Sequence, residues 1–193
     1  MTPIIFATNN LHKIEEIQAA IGESLHVITL REAGVDIDIP EPHDTLEANA
    51  SEKSATIHRI TGKDCFGEDT GLEVAALGGE PGVRSARYAG DMRSDKDNIA
   101  LLLERLGDSP DRQARFRTVI ALIWKDQQHH FEGICEGHIL TAPTGENGFG
   151  YDPVFVPVGE TRSFAQLSLQ EKNRYSHRRK AADKLVAFLR QTK

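Results

Sequence analysis

The segment TNNLHK at residues 8–13 has the composition of a phosphate-binding turn. It follows an apolar run, PIIFAT at residues 3–8, that predicts a buried strand, and it leads into apolar residues at helical spacing. In a strand–turn–helix unit, backbone N–H groups and the positive end of the helix dipole face outward from the turn. Lys13 adds a mobile positive charge, so this arrangement suits a phosphate group. Because Thr and Asn are also ordinary helix caps, the turn taken alone favours capping without binding.

Three acidic residues have the chemistry to hold a divalent cation: Glu41 in IPEPHD, and Glu68 and Asp69 in GEDTG. Magnesium prefers carboxylate oxygens and water, and a cation that bridges a triphosphate needs only one or two protein carboxylates. A carboxylate beside the metal can also accept a proton from an attacking water. Taken alone, the pair ED before TG favours a solvated turn, so the metal hypothesis depends on the other motifs.

The segment FGYDP at residues 149–153 has the residue types that recognise a nucleotide base. Phe149 offers a ring for stacking, and Asp152 offers a carboxylate that accepts hydrogen bonds from a base edge. A glycine-rich turn beside a core aromatic residue is the alternative interpretation.

The segment EKNRYSHRRK at residues 171–180 gathers basic side chains before a C-terminal helix. We expect Lys172, Ser176, His177 and Arg178 at the mouth of a cleft, because arginine donors suit phosphate oxygens or the 6-oxo group of a purine. The alternative is the solvated face of a basic helix.

The elements that must position these residues alternate between helix and strand. A second strand is predicted at residues 26–30 and a helix from Thr45 to about Ile60. Residues 64–77 predict two strand pieces around an acidic turn, and the glycine-rich stretch at 77–90 predicts a loop.

Later segments continue the pattern. A helix is predicted from Ser94 to Gly107, a hairpin from residues 116–124 and 129–140 joined by KDQQ, and a helix from Ser176 to Arg190. This order favours an α/β protein with a mixed sheet.

The composition excludes several classes of function. A chain of 193 residues with 39% hydrophobic residues can bury a sizeable core, and a net charge of −6 argues against a surface for long nucleic acid or anionic membrane. Cys65 and Cys135 lack the spacing of a zinc site or a disulfide framework, so reduced, buried thiols are expected. No basic leader or run of about 18 apolar residues occurs, which predicts a cytoplasmic protein.

Taken together and in order, the four motifs resemble the inosine triphosphate pyrophosphatase family, also called the HAM1-like family. The resemblance runs from ATNNLHKIEEI through GEDTGLEVAALGGEPGVRSARYAG and GFGYDPVF to LSLQEKNRYSHRRKA. It implies one domain over residues 1–193, with an elongated mixed β-sheet flanked by helices, two lobes and a central active-site cleft. It also implies a homodimer and Mg²⁺ as cofactor.

The resemblance implies a role for each matching residue. Asp69 is the proton acceptor, Glu41 and Asp69 handle the magnesium, and Glu68 is a supporting acid and a further candidate ligand. The implied substrate contacts are Thr8, Asn9, Asn10, Leu11, His12, Lys13, Lys53, Thr70, Phe149, Gly150, Tyr151, Asp152, Lys172, His177 and Arg178.

The implied reaction is hydrolysis of noncanonical purine nucleoside triphosphates such as ITP, dITP and XTP to the monophosphate and pyrophosphate. Selectivity against adenine would follow from its 6-amino group, which Arg178 would pair badly with; rejection of guanine is implied by the resemblance alone. Four positions depart from the pattern that the family favours, and they bear on fine specificity more than on the reaction: Asn9, Ala48, Glu68 and Arg84.

Three alternatives stay open at the level of sequence. The first is a pyrophosphatase of the related Maf type, which acts on other nucleotides through a similar two-lobed architecture; the motifs FGYDP and SHR argue against it. A nucleotide-binding regulator without turnover is disfavoured by the presence of Lys13, Glu41 and Asp69. A nucleic-acid-binding module conflicts with the acidic charge balance, and its mark would be binding that weakens with salt.

Overall fold

The computed structural model describes residues 3–192 and has a seven-stranded mixed sheet flanked by helices. The strands are β1 (Ile4–Phe6), β2 (Val27–Thr29), β3 (Cys65–Val74), β4 (Pro81–Gly82), β5 (Gln113–Trp124), β6 (Gln127–Ile139) and β7 (Phe155–Pro157). The strand order is β2-β1-β3-β5-β6-β7, with β4 paired to β3. Strand β1 is parallel to β2 and β3, whereas β4 is antiparallel to β3 and β7 is antiparallel to β6. The helices are α1 (Leu11–Ile21), α2 (Leu46–Thr61), α3 (Asp95–Leu106), α4 (Leu169–Lys172) and α5 (His177–Gln191). The predicted α/β class with a mixed sheet is confirmed.

The chain divides into two compact units. The first unit contains the chain up to Asp69, Thr118–Gly133 and the chain from Arg178 onward. The second unit contains Thr70–Arg117 and Ile134–His177. The division falls within β3, β5 and β6. The expectation of one domain over the whole chain stays a prediction.

The core of the first unit lies on both faces of β1. Ile4 and Phe6 pack in one cluster with residues of α1 and α5, while Ile5 and Ala7 pack in another with Ile57 of α2. Successive side chains of a strand point to opposite faces, so a strand covered on both sides is apolar throughout. This explains the continuous apolar run at the start of the sequence. Because β1 is buried on both faces, it holds the turn that follows it in place.

The core of the second unit is rich in aromatic residues. Phe116 lies 4.7 Å from Phe155 and 6.1 Å from Phe164, measured between ring centroids. Leu102 and Leu106 of α3 join the same cluster. This core supports the turn that carries Phe149 to Asp152.

Strand β3 corrects the prediction of two strand pieces around an acidic turn. Residues 65–74 form one continuous strand, and Glu68 and Asp69 are buried within it. The prediction was wrong because the glycines serve close packing instead of a turn. A Cβ atom at Gly67 would lie 2.3 Å from the carbonyl oxygen of Ala50 in α2. A Cβ atom at Gly71 would lie 2.5 Å from the carbonyl oxygen of Gly82.

Local capping signals predicted the long helices well. The side chains of Thr45 and Ser94 accept hydrogen bonds from Ala48 N and Asp97 N at the starts of α2 and α3. The predicted hairpin turn is shorter than KDQQ: only Lys125 and Asp126, with φ of 51° and 63°, lie between β5 and β6. Short helix α4 was not predicted, and the 77–90 stretch contains the short strand β4.

Two expectations from composition concern the described residues. Cys65 and Cys135 are buried thiols that form no disulfide within residues 3–192, and burial raises the pKa of Cys65 to about 12, which keeps its thiol protonated. Among residues 3–192, no helix is long and apolar enough to cross a membrane.

Candidate active site

The turn between β1 and α1 presents exposed polar residues at the carboxyl end of β1. Asn10 caps α1 by accepting a hydrogen bond from Lys13 N at 3.1 Å, and Thr8 Oγ1 accepts one from Asn10 N. Asn9 donates to the carbonyl of Ile37 at 2.9 Å. Asn9, Asn10 and Leu11 are exposed. The turn is therefore held in place from within and open to solvent at the start of a helix, as an anion site requires.

Glu68 connects this turn to a buried charge network in the first unit. The ammonium of Lys13 lies 2.6 Å from Glu68 Oε2. Arg178 donates to Glu68 Oε1 from Nη2 at 2.9 Å and from Nε at 3.1 Å, and its Nη1 donates to Glu16. Thr118 Oγ1 also donates to Glu68 Oε1 at 3.4 Å. Arg178 is 1% exposed, so its buried positive charge needs a partner of opposite charge. The carboxylates of Glu68 and Glu16 provide it.

Lys53 of α2 brings Glu41 and Asp69 together. Its ammonium lies 2.6 Å from Glu41 Oε1 and 2.9 Å from Asp69 Oδ1, and it donates to the carbonyl of Glu68 at 3.0 Å. Glu41 comes from the loop before α2, and Asp69 comes from β3. Two carboxylates from distant parts of the sequence thus converge on one cationic position.

The pKa values around Lys53 follow from burial and from this convergence. Burial raises the pKa of Asp69 above its usual value, and the positive charges of Lys53 and Lys13 offset that rise only in part. Burial works to lower the pKa of Lys53, but the carboxylates of Asp69 and Glu41 outweigh it, so the pKa of Lys53 is raised. A carboxylate with a raised pKa is a stronger base once ionised, which suits Asp69 to accept a proton.

The carboxylates around Lys53 are of the residue type that could hold a divalent cation. Among residues 3–192, no three His, Cys, Asp or Glu side chains form a metal cage. Magnesium bound to a triphosphate needs only one or two carboxylates, and Glu41 and Asp69 supply two that point to one position. Glu68 is a less suitable ligand because Lys13, Arg178 and Thr118 contact its carboxylate.

The second unit holds its own buried ion pair beside an aromatic ring. Lys172 Nζ lies 2.5 Å from Asp152 Oδ2, and the same oxygen accepts a hydrogen bond from Phe149 N at 3.0 Å. The ammonium of Lys172 lies 5.4 Å from the centre of the Phe149 ring. Asp152 and Lys172 are buried, whereas Phe149 is half-buried. This group combines a flat ring with a charged hydrogen-bonding pair, which are residue types that can contact a nucleotide base.

The rest of the 149–152 turn is fixed by contacts within the second unit. Tyr151 donates through its hydroxyl to the carbonyl of Ser85 at 2.8 Å, and Gly150 N donates to Asp95 Oδ2 at 2.7 Å. Burial raises the pKa of Tyr151, so its hydroxyl stays protonated. The ring of His177 stacks on Phe116, with centroids 4.6 Å apart. The hydrogen bonds of Gly150 and Tyr151 fix the position of the turn within the second unit.

Comparison with known proteins decides the family. The sequence profile of the Ham1 family matches residues 4–188. The chain belongs to the Ham1 family.

Ham1 relatives match over nearly the whole chain. The dITP/XTP pyrophosphatase of Flavobacterium psychrophilum is 48% identical over 187 residues, covering 97% of this chain and 98% of that protein. The dITP/XTP pyrophosphatase of Porphyromonas gingivalis is 48% identical over 190 residues, covering 98% of each. The structure of the Staphylococcus aureus Ham1 protein has 42% sequence identity and a TM-score of 0.89, with complete coverage of both chains. The resemblance inferred from the four motifs is confirmed.

The Ham1 motifs fall into two groups in this structure. The first unit brings together Lys13, Glu41, Lys53, Glu68, Asp69 and Arg178, with the turn of Thr8, Asn9, Asn10, Leu11 and His12 at the start of α1. The second unit brings together Phe149, Gly150, Tyr151, Asp152, Lys172 and His177, and it also contains Thr70 in β3. Each site assignment stays a prediction.

The expected exposure of the C-terminal motif differs from what the structure shows. Lys172, Ser176, His177 and Arg178 are each at most 4% exposed, whereas a cleft mouth would leave them open to solvent. The physical reason is that Asp152, Glu68 and Glu16 compensate the buried charges of Lys172 and Arg178.

Sequence reasoning missed three polar residues of the first unit. Glu16 pairs with Arg178, Asn49 contacts Asp69, and Thr118 contacts Glu68. Glu16 carried a usable signal, because it lies on the same face of α1 as Lys13 and Ala20. A carboxylate on an inward face requires a buried partner. Asn49 and Thr118 carried no such signal, since their contacts depend on the fold.

Proposed function

We propose that this protein hydrolyses dITP, XTP and ITP to the nucleoside monophosphate and pyrophosphate. The observation that carries the proposal is the convergence of Glu41 and Asp69 on Lys53, in the same unit as the β1–α1 turn and Lys13. The relatives named dITP/XTP pyrophosphatases align over nearly their full lengths, which supports the same reaction here.

The proposed reaction is attack of water on the α-phosphorus, with pyrophosphate as the leaving group. Asp69 would accept the water proton, since its buried carboxylate has a raised pKa. The β1–α1 turn and Lys13 would bind phosphate oxygens through backbone N–H groups and positive charge. Binding of phosphate would compete with Glu68 for Lys13.

We assign Glu41 and Asp69 as the residues that would hold Mg²⁺. When bound, magnesium would neutralise the negative charge that develops on the phosphate oxygens. Lys53 lies between the two carboxylates and would hold them in place while the metal is absent.

Base recognition is assigned to Phe149, Asp152 and Lys172. Inosine and xanthine present a 6-oxo acceptor and a protonated N1, for which Lys172 and Asp152 offer a donor and an acceptor. Adenine presents an amino donor and an unprotonated N1, so both contacts would be mismatched. Leaving such groups unpaired costs about 1–3 kcal/mol. A contact from Arg178 to the base would require release from Glu68 or Glu16.

We propose a homodimer in the cytoplasm, and sedimentation of the full chain tests the dimer. No finding favours a Maf-like specificity or a regulator without turnover.

The experiment that tests the function compares nucleotides under one condition. Purified protein with magnesium is incubated separately with dITP, XTP, ITP, GTP and ATP, and nucleotide products, pyrophosphate and orthophosphate are resolved. Monophosphate plus pyrophosphate from dITP, XTP and ITP, with little product from ATP and GTP, is expected. Release of orthophosphate or equal rates on ATP would contradict the proposal.

A further inference from the structure

Asn49 in α2 contacts the proposed metal ligand Asp69 and also the loop that carries the other proposed ligand, Glu41. Its Oδ1 accepts a hydrogen bond from His43 N at 3.0 Å, and its Nδ2 donates to the carbonyl of His43 at 3.1 Å. Nδ2 also donates to Asp69 Oδ2 at 3.4 Å. Asn49 is 2% exposed. The amide of Asn49 therefore contacts both the backbone of the loop at His43 and the Oδ2 atom of the Asp69 carboxylate.

The backbone of His43 fixes which way the amide of Asn49 points. A backbone N–H only donates and a carbonyl only accepts, so Oδ1 must face His43 N and Nδ2 must face His43 O. The NH₂ group has two hydrogens, and the second is directed to Asp69. A side chain with an acceptor alone or a single donor cannot make all three contacts.

The hydrogen bonds to His43 also restrain Glu41, because prolines flank Glu41. Glu41 lies between Pro40 and Pro42, and His43 follows directly. Proline fixes its own φ and restricts the residue before it, so the segment from Pro40 to His43 has little conformational freedom. Anchoring His43 therefore anchors Glu41, two residues earlier.

We propose that Asn49 is a positioning residue that sets the placement of Glu41 and Asp69 relative to each other for the divalent cation. This inference rests on the proposed function, because that function gives the two carboxylates their role. Residues that orient ligands from behind in this way typically contribute 10–100-fold to metal affinity or activity.

The second unit provides a matched control in Asn98. Asn98 Oδ1 accepts a hydrogen bond from Ala89 N at 2.7 Å, and its Nδ2 donates to the carbonyl of Ala86 at 3.1 Å. Asn98 is also 2% exposed, and like Asn49 it lies four residues after the cap of its helix. Asn98→Ala therefore removes a similar loop contact in the second unit and leaves the contacts of Asp69 and Glu41 within the first unit in place.

The kinetic test compares Asn49→Ala with Asn98→Ala on dITP at varied magnesium. In Asn49→Ala we expect kcat to fall by about 10–100-fold and the half-saturating magnesium concentration to rise, while KM for dITP changes less than about threefold. Asn98→Ala should keep the wild-type magnesium requirement. A role in folding alone would lower the melting temperature of both variants and leave the magnesium requirement unchanged in both.

A second readout does not depend on turnover. Binding of Mn²⁺ in the presence of a nonhydrolysable α,β-methylene dITP is measured by electron paramagnetic resonance for wild type and both variants. Weaker Mn²⁺ binding in Asn49→Ala than in Asn98→Ala supports the positioning role. The same affinity in both variants, including no binding in either, overturns it. If wild type fails to hydrolyse dITP and XTP, the proposed function fails, and this comparison still decides the role of Asn49.

Should Asn49→Ala fail to fold, Asn49→Ser replaces it. Serine leaves room for a water molecule to satisfy the His43 backbone, but its short side chain cannot hold His43 and Asp69 together. The same loss of Mn²⁺ affinity is expected, and an unchanged affinity overturns the proposal.

Discussion

Asp69 lies in a setting that separates its role from that of the neighbouring Glu68. Both are buried in β3, but Glu68 is contacted by Lys13, Thr118 and Arg178, whereas Asp69 is contacted by Lys53 and Asn49. Two adjacent side chains of a strand point to opposite faces, so one sequence dipeptide serves two different clusters. Asp69 is therefore the carboxylate that shares its cation with the proposed metal ligand Glu41.

Replacing Asp69 by Asn tests its role as proton acceptor. Asp69→Asn keeps the shape of the side chain but removes the base, so kcat/KM for dITP should fall by about 10²–10⁴-fold. Asp126→Asn, which changes a carboxylate that is 90% exposed in the β5–β6 turn, should retain activity. Initial rates of pyrophosphate release give both values, and a fully active Asp69→Asn would remove Asp69 from the mechanism.

The raised pKa of Asp69 also predicts a dependence of stability on pH. The folded protein binds the Asp69 proton more tightly than the unfolded chain, so this residue stabilises the fold fully below the unfolded pKa of about 3.8. That contribution is lost as pH rises through the higher folded pKa, where the buried carboxylate ionises. Urea unfolding of metal-free protein at several pH values should show Asp69→Asn gaining stability relative to wild type over that range. A difference that does not vary with pH would contradict the raised pKa.

At the scale of secondary structure, the sequence predicted elements whose signals are local. The caps Thr45 and Ser94 and the helical spacing of apolar residues gave α2 and α3. The continuity of β3 was not predictable, because acidic residues normally indicate solvent. The burial of Glu68 and Asp69 depends on cations from three helices, α1, α2 and α5. No sequence pattern near residue 68 predicts Lys53 or Arg178 as partners.

Arg112 connects two elements of the second unit and has a measurable effect on stability. Its guanidinium donates to the carbonyls of Gly107, Ile139 and Leu140, at 3.1, 2.8 and 2.9 Å, which ties the end of α3 to the end of β6. Arg112→Ala should lower the free energy of unfolding by about 1–3 kcal/mol, since hydrogen bonds to a charged group are lost.

Arg112→Lys is the matched control, because it keeps the charge but lacks the planar fork. It should recover only part of the loss in urea denaturation. Full recovery with Lys would show that charge at the end of α3 matters, and that the three directed hydrogen bonds do not.

For the whole molecule, the four motifs divide between the two units. The turn at residues 8–13, Glu41, Lys53, Asp69 and Arg178 belong to the first unit, and the 149–152 turn, Lys172 and His177 belong to the second. The motifs and their order along the chain were sufficient to identify the family. The sequence did not show which motif residues contact one another. The pairings of Lys13 with Glu68 and of Asp152 with Lys172 needed the fold.

This division predicts two kinds of variant. Lys13→Ala should lower kcat/KM for ITP and for ATP by the same factor, because Lys13 is assigned to phosphates common to both. Asp152→Asn should lower the ITP-to-ATP ratio by about 10–100-fold, since its amide can donate a hydrogen bond to the unprotonated N1 of adenine, which the carboxylate cannot do. Competition assays with both nucleotides give the ratio directly. A changed ratio in Lys13→Ala with an unchanged ratio in Asp152→Asn would reverse the assignment.

The position of water attack tests the proposed chemistry most directly. Hydrolysis of dITP in ¹⁸O-labelled water, followed by mass spectrometry of both products, shows which phosphorus was attacked. Attack at the α-phosphorus predicts that the label appears in dIMP and that pyrophosphate stays unlabelled. Label in pyrophosphate, or in released orthophosphate, would contradict the proposed reaction.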